Sequence, residues 1–250
     1  MEVGARLAPV NAIKDMSIKQ ALEKQKDGIV ADVFQADQAY ALLKQIGECA
    51  DRINHSGYGH FFAPIQDILV RDYVLAITKI FDRPDKNYPT RGIPTMIGLI
   101  RDSSKELKIY QRPAMLKRLA FAGLDITAFE RLTDAQITLA LVDFYATKLP
   151  SKDKVDGFKA WRTLEALKFR RNKAYAHNES FDHSMFPETT WQETQELVQL
   201  ARSFTSVVCT GYLSFILTSD DGMFFLSNDA KRASRSLSKL LVKAGVVDSM

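Results

Sequence analysis

The chain has 250 residues, of which 46% are hydrophobic and 26% are charged. This composition is typical of a globular protein, and it excludes a disordered tail, a collagen-like repeat and a mucin-like stalk. The net charge of +4 is too small to indicate nucleic-acid binding by itself. With 12 glycines and 8 prolines, few residues interrupt regular structure, so we expect long regular elements.

Apolar residues recur every three or four positions in successive segments, which predicts amphipathic helices. The segments with this spacing are Leu42–Ile53, Val70–Phe81, Ile93–Leu107, Ile137–Tyr145, Ala160–Ala174, Leu197–Phe215 and Ala230–Ala244. Prolines bracket these segments rather than interrupt them. The pairs Thr133 with Gln136 and Thr190 with Glu193 predict capping boxes at two helix starts. No segment shows sustained period-two alternation between hairpin turns, so no sheet is predicted.

The loops that connect these helices are predicted from clusters of polar residues, glycine and proline. They are Asn54–Gly59, Arg83–Arg91, Pro150–Asp156, Asn178–Thr189 and Ser219–Asp229. The prediction is one all-α domain over residues 1–250, an antiparallel helical bundle with additional helices. We expect residues 1–15 to be loosely ordered and residues 229–245 to form a C-terminal basic helix.

The cellular location is predicted from two features that the sequence lacks, a signal peptide and a CxxC motif. No basic segment followed by an apolar core is present, so we expect no signal peptide and a cytoplasmic protein. The uncharged run Ser203–Ser219 is slightly short for a membrane span and is interpreted as a buried central helix. Cys49 and Cys209 form no CxxC motif, so no zinc ribbon or redox pair is indicated.

Positive charge is concentrated in two segments. Residues 152–173 contain eight basic and three acidic residues, and residues 231–243 contain five basic residues and no acid. Such a distribution can steer a polyanion to one face of the protein. Solvated helix faces explain the same pattern without a ligand, and both interpretations stay open.

One arginine interrupts an apolar stripe. Ala160, Leu164 and Leu167 are followed at the next helical position by Arg171. A guanidinium on an inward face is unfavourable unless an anionic or polar group meets it. Asn172 comes next, and His177 lies six residues after the arginine. On an ideal α-helix Arg171 and His177 are separated by roughly 120°, so a joint site requires a helix end, a long arginine reach or a second chain.

The segment Arg171-Asn172-Lys173-Ala174-Tyr175-Ala176-His177 resembles the Arg-x(4–6)-His motif of the HEPN family. A polar residue directly after the arginine is usual in that family. The wider chain, from about Phe34 to Ser219, resembles the abortive-infection AbiU branch. The resemblance includes a helix ending at Ile53-Asn54, a helix start at Phe61-Phe62 and a helix over residues 72–82 that closes on Asp82.

The resemblance implies an antiparallel four-helix core that forms a homodimer, in which two copies of the motif meet in a cleft and cut RNA without a metal or cofactor. In that function His177 is the general acid or base, Arg171 stabilises the transition state and Asn172 is a positioning residue. Arg170, Lys173 and Lys168 would contact phosphates. The setting implied is phage defence by abortive infection or a toxin–antitoxin pair, with an antitoxin or another defence protein as partner and no membrane.

The motif departs from one part of the family pattern. In the branch paired with nucleotidyltransferase antitoxins, a tyrosine usually lies two residues after the histidine, whereas this chain has Glu179. Adenylylation of such a tyrosine is therefore not predicted. An acidic residue at this position also repels phosphate.

Two other interpretations of the sequence stay open. In the first, Arg171 pairs with a buried acid such as Asp82 or Glu165, His177 caps a helix, and the protein is a non-catalytic helical module that binds RNA, nucleotide or a partner. In the second, His55 and His60 hold a metal, although no third ligand is evident. Further short features, Asp220-Asp221-Gly222 and His183, are interpreted as loop residues without a ligand.

Overall fold

The fold is all-α, as predicted, in a computed structural model that describes residues 17–84, 90–176, 187–219 and 223–247. The helices are α1 (Ile18–Glu48), α2 (Ala50–His55), α3 (Gly59–Ile80), α4 (Ile93–Asp102), α5 (Arg112–Phe121), α6 (Asp134–Lys148), α7 (Val155–Arg170), α8 (Trp191–Leu213) and α9 (Phe225–Lys243). A short 3₁₀ turn (Phe129–Arg131) precedes α6, and a π-helical turn (Arg171–Ala176) continues α7.

The core forms around α1 and α8, whose inward faces are apolar. Helix α1 packs against α3, α4, α8 and α9, and α8 also packs against α5 and α7. Fully buried side chains such as Ile29, Ile77 and Phe204 fill the space between these helices. The segment Ser203–Ser219, interpreted from sequence as a buried central helix, is confirmed only up to the end of α8, where every residue from Phe204 to Leu213 is buried. Its remaining residues lie after the helix, and Ser214, Phe215 and Ile216 are exposed.

Helix starts follow the local sequence. Both predicted capping boxes are confirmed, since Thr133 accepts a hydrogen bond from the backbone N–H of Gln136 and Thr190 from that of Glu193. A third capping box, formed by Ser17 and Gln20, begins α1. These side chains satisfy N–H groups that no helical carbonyl reaches, and they define where each helix begins.

Several sequence expectations about helix boundaries are wrong. The segment Leu42–Ile53 divides at Cys49 between α1 and α2, and the segment predicted from Ile93 to Leu107 ends as a helix at Asp102. Pro64 lies inside α3, which begins at Gly59; its missing N–H costs one helical hydrogen bond near the start of a helix that packing holds in place. The predicted loop Ser219–Asp229 ends early because α9 begins at Phe225, after a bridge between Thr218 and Phe224. Helix α9 spans Phe225–Lys243, where residues 229–245 were expected. The expectation for residues 1–15 lies outside the described residues.

None of the described helices combines the length and hydrophobicity that a membrane span requires.

The corner between α6 and α7 depends on a glycine. An added Cβ at Gly157 would overlap the carbonyl oxygen of Leu149, and Ser151 N–H donates to the Gly157 carbonyl at 3.2 Å. This close approach of two backbones positions the start of α7, the helix that carries Arg171 at its end.

Replacing Gly157 with alanine should therefore destabilise the protein by about 1–3 kcal/mol, because a backbone atom cannot move aside as a side chain can. The matched control is Gly98→Ala in α4, where an added Cβ meets no atom within 4 Å. That change should stabilise the protein by about 0.5–1 kcal/mol through helix propensity. Thermal unfolding followed by circular dichroism measures both, and equal shifts of Tm would contradict the argument.

Candidate functional site

Arg171 lies where α7 changes into the π-helical turn. The preceding residues of its stripe, Leu164 and Leu167, are buried in the core, and the Arg171 side chain is 25% exposed. Sequence periodicity therefore predicts its partly inward position correctly. π-Helical turns are rare and are frequent at functional sites. Residues 171–176 are π-helical, and the angle of roughly 120° expected between Arg171 and His177 involves a residue outside the described ranges.

The carboxylate that pairs with Arg171 belongs to Asp82, two residues after the end of α3. Arg171 Nη1 donates to Asp82 Oδ2 at 3.0 Å and to Oδ1 at 3.3 Å, and the Asp82 side chain is 29% exposed. Arg171 Nε donates to Oδ1 of Asn172 at 3.1 Å. The two N–H groups of Nη2 take no part in these bonds, so the guanidinium is oriented by one acceptor at Nε and another at Nη1. Of the two acids considered from sequence, Asp82 is the partner, and Glu165 instead lies 3.5 Å from Lys168.

A cavity of about 370 Å³ lies beside Asp82, and further charged side chains line it. Lys79 Nζ lies 3.9 Å from Asp32 Oδ1, and Arg91 lines the same cavity. Gly28 lets the Arg91 side chain lie close to α1, because a Cβ at that position would come within 2.8 Å of it. With Arg171, the described residues of this cluster hold three cations and two carboxylates.

Sequence reasoning missed Asp32, Lys79 and Arg91 as members of this cluster. They lie on α1, on α3 and in the segment before α4, and only packing brings them together. The available signal was a charged residue, Asp32, between buried positions of α1. Burial raises the pKa of Asp32 above its ordinary value of 3.8, and this outweighs the lowering of that pKa by Lys79 and Arg91.

Of the other residues predicted for the site, some lie around the end of α7 and some fall outside the described residues. Arg170, Lys173 and Lys168 are partly buried around the end of α7, and Asn172 is exposed. His177, Glu179 and His183 lie outside the described residues, as does Asp220-Asp221-Gly222. The contribution of His177 therefore remains a prediction from the motif.

Of the two histidines predicted as a possible metal pair, His55 has a local structural role in α2. His55 Nδ1 lies 2.6 Å from the carbonyl oxygen of Asp51, one helical turn earlier in α2. His60 lies exposed in the first turn of α3. Within the described ranges, no group of three or more histidine, cysteine, aspartate or glutamate side chains is placed to hold a metal ion.

Asp32 provides a pH-dependent test of the cavity's electrostatics. A raised pKa means that folding penalises the ionised carboxylate, so Asp32→Asn should raise Tm at pH 7, by about 1–2 °C once solvent screening is considered. The two proteins share all other titrating groups, so the difference reports on Asp32 alone. This difference in Tm should shrink as the pH falls through the raised pKa of Asp32. It should vanish below about pH 3.8, where Asp32 is neutral in both the folded and the unfolded state. A difference that grows toward acid pH would contradict this assignment.

The family model HEPN_AbiU2, described as AbiU2, matches residues 19–232. This range contains Asp32, Asp82 and the complete Arg171–His177 motif. No curated protein and no solved structure gives a significant match to the chain. Because the family match spans most of the chain, including α1, α3, α7 and α8, the protein belongs to the AbiU2 family of HEPN proteins, a family of the abortive-infection type.

Proposed function

We propose that this protein is a metal-independent endoribonuclease that acts in phage defence, by abortive infection or as the toxin of a toxin–antitoxin pair. The observation that carries the proposal is the placement of Arg171 in the family motif: partly buried, oriented by Asp82 and Asn172, and a quarter exposed. An arginine held in this way is preorganised to meet a phosphate.

RNA supplies its own nucleophile for this reaction. The 2′-hydroxyl oxygen attacks the adjacent phosphorus, the bond from phosphorus to the 5′-oxygen breaks, and no water enters. His177 accepts the proton of the 2′-hydroxyl or donates one to the leaving 5′-oxygen, since histidine titrates near neutral pH. The products are a 2′,3′-cyclic phosphate and a free 5′-hydroxyl.

Arg171 would stabilise the negative charge that develops on the phosphorane oxygens. The Nη2 N–H groups, which take no part in the bonds to Asp82 and Asn172, suit this role. Asn172 then acts as a positioning residue for the arginine, because its Oδ1 accepts from Arg171 Nε. Lys168, Arg170 and Lys173 would contact neighbouring phosphates. A two-fold dimer would bring two such sets into one groove.

The Arg171–Asp82 ion pair also favours a second candidate function. If the pair only joins the end of α3 to α7, the protein is a non-catalytic helical module that binds RNA, nucleotide or a partner protein. The two candidates differ in whether Arg171 contributes to the stability of the fold alone or also to cleavage.

The first test is RNA cleavage in EDTA by the purified protein and by His177→Ala. We expect wild-type cleavage to persist in EDTA and to leave 2′,3′-cyclic phosphate ends, and the variant to lose at least about 100-fold in rate. RNA binding and Tm of the variant should stay close to wild type. Binding without cleavage by either protein would favour the non-catalytic module, and loss of cleavage in EDTA would favour a metal-dependent enzyme.

The second test separates the two roles of Arg171. Arg171→Lys keeps the charge but loses the planar donor set, so we expect about a 100-fold loss in kcat. Asp82→Asn should lower kcat by less, because it loosens the hold on the Arg171 side chain without removing that side chain. The matched control is Arg162→Lys, an exposed position of α7, which should leave kcat unchanged. If Arg171→Lys and Asp82→Asn lower Tm equally and leave cleavage intact, the ion pair is structural only.

A further inference from the structure

Gly92, the residue directly before α4, lies against the end of α3. An added Cβ at Gly92 would lie 3.0 Å from the carbonyl oxygen of Ile80 and 3.1 Å from that of Asp82. The backbone of Gly92 is extended, with φ −147° and ψ 167°, a conformation that any residue adopts. Glycine is therefore required here by space. The close approach brings its backbone next to the residue that pairs with Arg171.

The segment Thr90–Gly92, which we call the pre-α4 segment, is also tied to α1. The carbonyl oxygen of Thr90 accepts a hydrogen bond from Gln25 Nε2 at 3.5 Å. The side chain of Arg91 crosses α1 at Gly28, where an added Cβ would lie 2.8 Å from both Cβ and Cδ of Arg91. The segment is thus fixed between α1 and the end of α3.

The pre-α4 segment also carries a cation to the cavity beside Asp82. Arg91 lines this cavity together with Asp32 and Asp82. Burial raises the pKa of Asp32, and the positive charges of Lys79 and Arg91 oppose this rise. The charge of Arg91 therefore acts within the cluster to which Arg171 belongs.

The orientation of Arg171 depends on where Asp82 is held. Arg171 Nη1 donates to both carboxylate oxygens of Asp82, at 3.0 and 3.3 Å. Because Asp82 lies two residues beyond the end of α3, its backbone is held in part by what packs against it, and Gly92 packs there. A small displacement of the Asp82 backbone would change the length and the angle of both hydrogen bonds.

We propose that Gly92 is a positioning residue for Arg171. Its close packing against the Asp82 backbone fixes the carboxylate that orients the guanidinium, and the side chain of Arg91, laid across Gly28, secures the pre-α4 segment to α1. The inference rests on the proposed function, in which Arg171 stabilises the transition state. In this role Gly92 acts through Asp82 and not on the RNA.

Steady-state RNA cleavage by Gly92→Ala is the first test. The added methyl group pushes the Asp82 backbone aside, so kcat should fall about 3–10-fold, because a small misplacement of a group that acts in the transition state lowers the rate. KM should change by less than about twofold, because the interaction lost is made only in the transition state. The matched control is Gly98→Ala in α4, where an added Cβ meets no atom within 4 Å. It should leave both constants unchanged.

Gly28→Ala reaches the same segment from α1 and decides the question if Gly92→Ala does not fold. Its Cβ overlaps a side chain rather than backbone carbonyls, so the fold should be kept while Arg91 is displaced. We expect kcat to fall about 2–5-fold. The matched control is Gly47→Ala in the same helix, where an added Cβ meets no atom within 4 Å.

The route through Asp82 is tested in the Asp82→Asn background, where the hold on Arg171 is already loosened. There Gly92→Ala should lower kcat by no more than about 1.5-fold, since two changes that act through one contact are not additive in free energy. If the fold-changes of the two variants multiply instead, Gly92 acts on something other than Asp82 and the proposal is wrong.

A readout that does not need cleavage is the ¹H–¹⁵N resonance of Arg171 Nε, assigned by its absence from Arg171→Lys. This Nε donates to Asn172 Oδ1 at 3.1 Å, so a turn of the guanidinium alters the hydrogen bond and with it the chemical shift. We expect Gly92→Ala and Gly28→Ala to move the resonance, and the two control variants to leave it in place.

The ribonuclease function and the positioning role fail in different ways. If the wild-type protein cleaves no RNA but the Arg171 resonance moves in Gly92→Ala, the ribonuclease function is wrong and the positioning of Arg171 is retained. If the wild-type protein cleaves RNA, and Gly92→Ala and Gly28→Ala match their controls in kcat and in the resonance, the positioning role is wrong and the ribonuclease function is retained.

Discussion

The partly buried guanidinium of Arg171 is the constraint that arranges the candidate site. A charge that is removed from water loses its solvation free energy, and an opposite charge must compensate for that loss. Asp82, two residues after the end of α3, forms an ion pair with Arg171. This ion pair joins the end of α3 to the end of α7. That junction places Arg171 beside the cavity that is lined by Asp32, Lys79 and Arg91.

Helix α1 carries two carboxylates among buried apolar residues, and each meets a cation from another helix. Asp32 lies near Lys79 of α3, and Asp37 pairs with Arg202 of α8. For both aspartates, burial raises the pKa despite the nearby cation. Of these two pairs, only Asp37–Arg202 is buried, and a buried ion pair stabilises a fold little compared with well-packed apolar residues.

Local sequence predicted much of the fold because its signals act within a few residues. The capping boxes at Thr133 and Thr190 are contacts between residues three positions apart, and both are formed. The position of Arg171 followed from the stripe of Leu164 and Leu167. Pro64 was misjudged because the packing of the long α3 outweighs one missing hydrogen bond. The start of α9 was misjudged because a bridge between Thr218 and Phe224 ends the preceding loop.

By itself, the sequence determined the all-α class, most helices, the motif from Arg171 to His177 and the inward position of the arginine, since periodicity and spacing are local properties. Tertiary structure alone decided between Asp82 and Glu165 as its partner, because the choice depends on how α3 packs against α7. It also assembled the cluster with Asp32, Lys79 and Arg91 and the buried pair of Asp37 with Arg202. Those residues are distant in the chain, and only the packing of α1 against its neighbours brings each group together.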